Sequence, residues 1–242
     1  MLQNRTCFVS IDVEKDLKKE SFEGVKSLDK ILSLFKKYSI PATLFVTGKT
    51  LEQYREFFLD VSKDYEIASH SYSHKYWNEL SFLEREKEIK DFISLYQSVF
   101  NKLPLGFKAP SHVIDKEGLE LISKSGFLYD SSIVPHYPPF KKYRGYKGRR
   151  PLFPYDQSGI LEIPNTGQLM GIPLAGTWIR KLPLLIYRIL FLINKPKFIS
   201  FSMHSWDSLN PELILKIEEI IKILKKNNYK FFNGEQILKN RK

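Results

Sequence analysis

The sequence predicts an α/β fold, because short apolar, strand-like runs alternate with longer helical patterns along its 242 residues. Hydrophobic residues make up 43% of the chain, enough for a buried core, and aromatic residues make up 14%, too many for a disordered chain. This order of strands and helices indicates a parallel sheet or barrel with right-handed crossover connections. Because the sequence shows no internal repeat and no low-complexity linker, we expect a single domain over residues 1–242.

The predicted elements follow one another along most of the chain. Strands are expected at residues 6–11, 42–46, 65–68, 105–108 and 198–203. Helices are expected at residues 25–38, 49–61, 81–100, 116–125 and 211–226, the last with proline in its first turn. Residues 134–176 are rich in Pro, Gly and Tyr and predict an irregular insertion, a feature that is usually functional or mobile in a compact domain.

The positive charge is concentrated in two segments. The chain has 38 Lys and Arg against 27 Asp and Glu, a formal charge of +11. Residues 141–150 carry six basic side chains and no acid, and residues 222–242 carry seven basic side chains and one acid, which leaves a net charge of −1 for the remaining 211 residues. This pattern fits either an anionic partner or two solvated surface segments. We do not expect nucleic-acid binding, because the rest of the chain is nearly neutral and contains no nucleic-acid motif.

One apolar stretch, residues 182–193, contains a single charge, Arg188, and has basic residues on both sides. It is too short to span a bilayer, which needs roughly 20 residues. Two interpretations remain: a buried core helix, which is the commoner case, or a helix in the membrane interface with its basic flanks on anionic lipid. The first residues contain no apolar signal region, so we expect a cytoplasmic protein, peripheral at the inner membrane face under the second interpretation.

Two histidines follow the third predicted strand. His70 and His74 are four residues apart, so on a helical turn they would face the same way and could bind one ion. Two imidazoles suit a divalent metal such as zinc. The single cysteine, Cys7, excludes a multi-cysteine zinc cluster and an internal disulfide. Two unrelated surface histidines are the alternative, but the carboxyl ends of parallel strands are where α/β proteins build their sites.

Other reactive side chains follow the first and last predicted strands. Asp12 and Glu14 alternate along the chain and should point to the same side, so one could bind a metal while the other accepts a proton from water. His204 ends the last predicted strand and could act as a general acid. We therefore expect these groups to meet at one edge of the sheet, although each alone could be a solvated strand end.

The order of these motifs resembles that of the polysaccharide deacetylase (NodB-homology) family. The resemblance covers nearly the whole chain and is carried by SIDVE (10–14), ATLFVTG (42–48), EIASHSYSH (66–74), GFKAPSH (106–112), GFLYDSSIVP (126–135) and SFSMHSWD (200–207). Lys108 stands where the family usually has Arg. A further segment, EIPNTGQLMGIPLAGTWIRKLP (162–183), resembles deacetylases found in exopolysaccharide and surface-glycan clusters.

The resemblance implies a distorted, incomplete (β/α) barrel and the metal-dependent removal of an N-acetyl group from a sugar. It implies one divalent ion, zinc first and cobalt, nickel or manganese as alternatives, held by His70, His74 and Glu14, with Asp16 as the alternative third ligand. The implied substrates are an N-acetylated glycan or a polyprenyl-linked sugar.

The resemblance also implies roles for the remaining site residues. Asp12 would be the general base and His204 the general acid, and the backbone N–H near Ser111 would hold the oxyanion. Lys108 and Asp130 would orient or tune the catalytic pair, and the substrate pocket would be shaped by Pro110, Ser111, Arg180 and Trp206. Since Val13 cannot ligate in the position of a second adjacent aspartate, a metal-independent amidohydrolase or an inactive glycan-binding relative remains the alternative.

Overall fold

The first strand, β1 at Thr6–Val13, is buried along its whole length and pairs with three other strands of a nine-stranded sheet. It belongs to a computed structural model that describes residues 5–136, 145–165 and 167–241. The other strands in this part of the chain are β2 (Thr43–Val46), β3 (Glu66–Ser69), β4 (Gly106–Phe107), β5 (Tyr129–Asp130), β6 (Tyr155–Gln157), β7 (Ile160–Glu162), β8 (Phe198–His204) and β9 (Lys230–Phe232).

Ten α-helices connect and flank these strands within the described residues. They are α1 (Glu23–Lys26), α2 (Asp29–Tyr38), α3 (Gly48–Gln53), α4 (Arg55–Val61), α5 (Phe82–Phe100), α6 (Lys116–Lys124), α7 (Gly176–Lys181), α8 (Leu184–Ile193), α9 (Pro211–Lys226) and α10 (Gly234–Lys239). The predicted alternation of strands and helices, and with it the α/β class, is confirmed. The sheet curls into a half-barrel.

The strands run in the order β6-β7-β5-β4-β3-β2-β1-β8, and β9 pairs with the first residues of β1. Every pairing is parallel except the hairpin of β6 and β7. The register aligns the strand ends: Asp12 lies opposite His204, and Ser69 lies opposite Phe107. The residues that follow these strands are therefore delivered to one edge of the sheet.

The core forms on both sides of the sheet. On the outer side, α2 and α9 bury apolar faces, including Phe35 and Ile217, against strand residues such as Val9. Within the curl of the sheet, the rings of Phe45 and Tyr129 meet edge to face with centroids 6.4 Å apart. Because β1 is packed on both faces, its sequence is a continuous apolar run and does not alternate between apolar and polar residues.

Several elements differ from the sequence-based expectation. The predicted helix at 25–38 is two helices, α1 and α2, and that at 49–61 is also two, α3 and α4, which meet at Tyr54. Residues 134–176 are not simply irregular, because β7 lies buried beside β5 and extends the parallel sheet. The short elements β9 and α10 carry too few residues for a periodic pattern to reveal them.

The apolar stretch at 182–193 forms α8, and only one of its faces enters the core. Tyr187, Leu190 and Phe191 are buried, whereas Leu185 and Leu192 are among the exposed residues of the same helix. The expectation of a buried core helix is thus correct for one face only. Within the described residues, no helix combines the length and apolar character needed to cross a bilayer.

Basic side chains of the C-terminal segment are partly neutralised by neighbouring acids. In the C-terminal segment, several basic side chains have partners: Lys222 pairs with Glu219, Lys239 with Glu235, and Lys225 donates to the carbonyl of Tyr38. Much of that charge is therefore compensated at the surface. Three basic residues of the first segment and the last residue of the second lie outside the described residues: Lys141, Lys142, Arg144 and Lys242.

Candidate active site

The end of β1 carries a buried ion pair. The Nζ atom of Lys108, which follows β4, lies 2.6 Å from Oδ1 of Asp12, and the lysine side chain has no exposed surface. Burial alone would raise the pKa of Asp12, but the charge of Lys108, with those of His70 and His204, lowers it well below its usual value. Asp12 is therefore ionised at neutral pH and can accept a proton.

Three potential metal ligands meet beside this pair. Glu14, His70 and His74 each offer one ligand atom, and these atoms lie within 4.8 Å of one another. A carboxylate oxygen of Glu14 contacts Nε2 of His74 directly. Two imidazoles and one carboxylate are a donor set that binds zinc and related divalent ions and leaves an open coordination position. The residues present therefore fit the metal that the family resemblance implies.

The orientation of His70 also suits a ligand. Its Nδ1 atom lies 2.8 Å from the backbone oxygen of Lys108. Because a carbonyl can only accept, Nδ1 carries the proton and Nε2 keeps a free lone pair. Burial lowers the pKa of His70 to about 4, although the charges of Asp12 and Glu14 act to raise it. The ring is therefore neutral at physiological pH, as metal ligation requires.

The loop between the two histidines is not the helical turn that their spacing predicts. Ser71 and His74 both adopt positive φ, at 62° and 64°, and the segment forms an extended loop. Glu88, on α5, holds this loop: its carboxylate accepts four hydrogen bonds of 2.5–3.0 Å from the N–H of Tyr72, the N–H of Ser73 and the hydroxyls of Ser71 and Ser73. The histidines converge because a carboxylate organises the loop.

The opposite wall of the site is formed by the end of β8. Nε2 of His204 lies 4.0 Å from Oδ2 of Asp12, so the candidate acid and base face the same space. The indole of Trp206 stacks on the imidazole of His204, with ring centroids 4.3 Å apart and planes inclined by 13°. The stacking fixes the plane of the imidazole and leaves its Nε2 edge directed toward Asp12.

Asp207 contacts both the backbone and the imidazole side of His204. Its Oδ2 atom accepts the N–H of His204 at 2.9 Å and lies 3.9 Å from Nδ1 of the same residue. Gly176, the first residue of α7, packs directly on this carboxylate, where a Cβ atom would clash. The charge of Arg180, also on α7, acts on Asp207, so α7 is joined to the site through this carboxylate.

The segment after β4 turns sharply beside Lys108. Ser111 and His112 both adopt positive φ, and the N–H groups of His112 and Val113 donate to the carbonyls of Ala109 and Pro110. The N–H of Ser111 has no protein acceptor within the described residues. This N–H is thus free to donate to a ligand. Burial lowers the pKa of His112 to about 3, so this ring is neutral, and its Nδ1 atom accepts a hydrogen bond from the side-chain amide of Asn165, 3.3 Å away.

Asp130 lies at the same edge of the sheet but in a separate cluster. Its carboxylate accepts hydrogen bonds from the N–H and hydroxyl of Ser132 and pairs with the buried carboxyl of Glu162, on β7. Ser132 in turn accepts the N–H of Ala109 at 2.7 Å. Any influence of Asp130 on the catalytic pair therefore passes through Ser132 and the backbone next to Lys108.

The second candidate for the third ligand, Asp16, has other partners. Its oxygens accept hydrogen bonds from the hydroxyl of Ser21 and from the N–H groups of Glu23 and Gly24, at 2.7–2.9 Å. Asp16 closes the loop that precedes α1 and is not part of the histidine cluster. Of the two carboxylates considered, Glu14 is the one positioned to ligate.

Sequence reasoning missed four residues of this site: Glu88, His112, Glu162 and Asp207. Three of them lie in quoted motifs, so their presence was visible but their function was not. Glu88 lies on a charged helix among other acids, and nothing local distinguishes it. Its role depends on a loop 15 to 17 residues earlier in the chain.

A family model described as polysaccharide deacetylase matches residues 20–129. A peptidoglycan deacetylase of Helicobacter pylori is 31% identical over 124 residues, which cover 51% of this chain and 42% of that protein. A peptidoglycan deacetylase-like protein of Gibberella zeae is 30% identical over 118 residues, 48% of this chain and 35% of that protein. The chain thus matches less than half the length of either relative. These matches support the polysaccharide deacetylase family.

Solved structures agree on the fold. A putative polysaccharide deacetylase from Mycobacterium smegmatis superposes with a TM-score of 0.72 at 17% identity, covering 98% of this chain and 90% of that one. A pseudoenzyme of the CE4 family from Bacillus anthracis superposes with a TM-score of 0.66 at 15% identity, covering 98% of this chain and 66% of that one. The same half-barrel therefore occurs in proteins described as deacetylases and in one described as inactive.

Proposed function

We propose that this protein, for which the comparisons support the polysaccharide deacetylase family, is a working metal-dependent hydrolase that removes an N-acetyl group from a sugar. One observation carries the proposal. A cluster of three ligands, Glu14, His70 and His74, lies beside an ionised Asp12, and His204 faces that aspartate from the next strand. An inactive relative has no need to keep a ligand set, a base and an acid in one cleft.

The chemistry must overcome a poor electrophile and a poor leaving group, because an amide bond is attacked and an amine departs. A divalent ion held by the three ligands would polarise the amide carbonyl and lower the pKa of bound water. Asp12 accepts a proton from the attacking water, and Lys108 keeps it ionised for that step. The free N–H of Ser111 donates to the oxyanion.

His204 completes the reaction. It donates a proton to the sugar nitrogen as the C–N bond breaks, so that acetate and a free amine leave. Asp207 accepts the backbone N–H of His204 at 2.9 Å and lies 3.9 Å from its Nδ1 atom, which keeps the residue in place for this step. Asp12 and His204 thus divide the proton transfers, with the base on β1 and the acid on β8.

Zinc is the proposed ion, because neutral imidazole and carboxylate suit it and three protein ligands are the usual set in catalytic zinc sites. Cobalt, nickel and manganese bind similar donors and remain possible substitutes. The tautomer of His70 is already fixed by the carbonyl of Lys108, which favours binding of any of these ions.

The proposed substrate is an N-acetylated glycan or a polyprenyl-linked sugar of a surface glycan. The names of the two relatives, a peptidoglycan deacetylase and a peptidoglycan deacetylase-like protein, support an N-acetylated sugar. The segment at 162–183, with its resemblance to deacetylases of exopolysaccharide and surface-glycan clusters, supports a glycan assembled on lipid. Pro110, Ser111, Arg180 and Trp206 are proposed to shape the sugar site; Trp206 stacks on the imidazole of His204, and the charge of Arg180 acts on Asp207.

Acetate release tests the proposal. The zinc-loaded protein and a chelator-treated sample should be incubated with N-acetylated oligosaccharides, peptidoglycan fragments and a polyprenyl-linked N-acetyl sugar. We expect acetate from at least one substrate, and loss of that activity after chelation. Activity that survives chelation would indicate a metal-independent amidohydrolase. Binding of a glycan without acetate release would indicate an inactive relative.

A further inference from the structure

An apolar stripe runs along the outer face of α8. Leu185, Ile189, Leu192 and Ile193 are exposed by 62%, 41%, 78% and 69%. Their spacing of i, i+4, i+7 and i+8 places them on one side of the helix. The buried residues of α8 lie on the opposite side, so the stripe is a second apolar face and not the edge of the core.

The chain around this stripe contains no acidic residue from position 163 to position 206. The same segment carries five basic residues, two before the stripe, one within it and two after it: Arg180, Lys181, Arg188, Lys195 and Lys197. Arg188 pairs with Glu219 of α9 at 3.6 Å. Lys181, Lys195 and Lys197 are exposed at the two ends of α8.

We propose that α8 is a membrane-docking helix that lies in the headgroup region of an anionic bilayer, with the stripe in the acyl boundary and the lysines on lipid phosphates. An exposed apolar face with basic flanks, in a segment of chain that contains no acidic residue, has the composition of an interfacial helix. A second copy of this chain is a poorer occupant, because a two-fold interface would bring the basic flanks of both copies together. An anionic surface satisfies the apolar face and the lysines at once.

Docking through α8 would also fix the position of the cleft. α7 begins at Gly176, against Asp207, and α8 follows after only two residues. The docked surface is therefore rigidly tied to the wall of the active site that holds His204. This functional consequence rests on the proposed deacetylase activity, and would suit a sugar presented on a lipid phosphate, but vesicle binding itself requires no turnover.

Vesicle sedimentation tests the docking surface. The protein should be mixed with phosphatidylcholine vesicles with and without phosphatidylglycerol, and the pellet compared with the supernatant. We expect pelleting with the anionic vesicles, weakened by added salt. The double variant Leu192→Glu/Ile193→Glu should lower the bound-to-free ratio about tenfold or more. Leu83→Glu is the matched control, since Leu83 is 73% exposed on α5, and it should bind like the wild type.

A second variant separates charge from apolar contact. Lys195→Gln/Lys197→Gln should lower binding to anionic vesicles about tenfold or more and leave the circular dichroism spectrum unchanged. Equal recovery of the wild-type protein in the supernatant with both lipids would overturn the proposal. So would a wild-type dimer, seen by sedimentation velocity, that the Leu192→Glu/Ile193→Glu variant converts to monomer. Acetate release from a water-soluble substrate should be the same in all of these variants, so a failure to dock and a failure to catalyse are distinguishable.

Discussion

The Nζ atom of Lys108 lies 2.6 Å from Oδ1 of Asp12, and the two side chains are 0% and 7% exposed. The pair joins the ends of β4 and β1, two strands that are not neighbours in the sheet. The ammonium group of lysine is one compact charge, whereas the guanidinium group of arginine is planar and carries several donors. A single contact therefore sets the ionisation of the proposed base. The candidate site therefore depends on this contact electrostatically as well as sterically.

Replacing Lys108 with methionine should destabilise the fold strongly. The change leaves the carboxylate of Asp12 buried without its partner, and we expect the free energy of unfolding at pH 7 to fall by about 3–5 kcal/mol. The lowered pKa of Asp12 means that the pair stabilises the protein above pH ~3.9, and that this contribution is lost as the pH falls further. Urea-induced unfolding measures the change.

An exposed pair of the same length provides the control. Lys87 and Asp91, on α5, are also 2.6 Å apart, but their side chains are 73% and 38% exposed. Lys87→Met should change the free energy of unfolding by no more than about 0.5 kcal/mol. Similar small losses in both variants would contradict the assignment of a buried, energetically important Lys108–Asp12 pair.

The third metal ligand can be identified by metal content. After loading with zinc and gel filtration, the wild type should retain roughly one ion per chain, and Glu14→Ala should lose most of it. Asp16→Asn should retain the ion, because Asp16 holds the loop before α1 and lies outside the ligand cluster. Elemental analysis gives the stoichiometry. Retention by Glu14→Ala and loss by Asp16→Asn would reverse the assignment.

Glu88 should tune metal affinity without touching the metal. Its carboxylate holds the loop that carries His70 and His74, so Glu88→Ala should weaken zinc binding about 10- to 100-fold, measured by competition with a chelator. Glu86→Ala is the matched control, since Glu86 lies on the same helix and pairs only with Lys90 among the ion pairs of the described residues. If both variants bound zinc like the wild type, the loop would have to be organised by other contacts.

The buried carboxyl pair of Asp130 and Glu162 predicts an unusual pH dependence of stability. Burial and the neighbouring Asp130 raise the pKa of Glu162 well above its usual value. The folded protein then holds a proton that the unfolded chain releases near pH 4.3, so the free energy of unfolding should decrease as the pH rises above that value.

Glu162→Gln should flatten this dependence, because glutamine keeps an acceptor for the N–H of Ile133 and a permanent donor for Asp130. Urea unfolding between pH 5 and pH 8, about the range in which native proteins are most stable, would show it. Glu20→Gln, at an 88% exposed side chain, should follow the wild type. A wild-type stability that rises across this range would show that Glu162 is already ionised.

The edge of the sheet could be predicted because reactive polar side chains lie at or just beyond the ends of short apolar runs. Asp12 and Glu14 lie on either side of Val13, the last residue of β1, and β8 ends in His204; parallel pairing places such ends together. The sequence therefore predicted which side chains would converge. The sequence alone did not give the register between β1 and β8. The structure supplies it and places Asp12 directly opposite His204.

What the sequence did not predict depends on contacts between distant residues. The prediction of a helical turn at 70–74 was wrong, because the backbone of this loop donates hydrogen bonds to Glu88 and adopts another conformation. β7 has three residues and ends in a buried glutamate, which resembles a surface residue until its partner Asp130 is known. α8 is apolar on both faces, and periodicity alone could not separate its core face from its exposed one.

The most direct test of the account compares acetate release by the zinc-loaded wild type with that by Asp12→Asn on the best substrate, with zinc content measured in both. Asp12 is proposed to accept the proton and not to ligate, so Asp12→Asn should keep its zinc and lose about 100- to 10,000-fold in rate. Acetate release at the wild-type rate by a zinc-containing Asp12→Asn protein would contradict the assignment of Asp12 as the base.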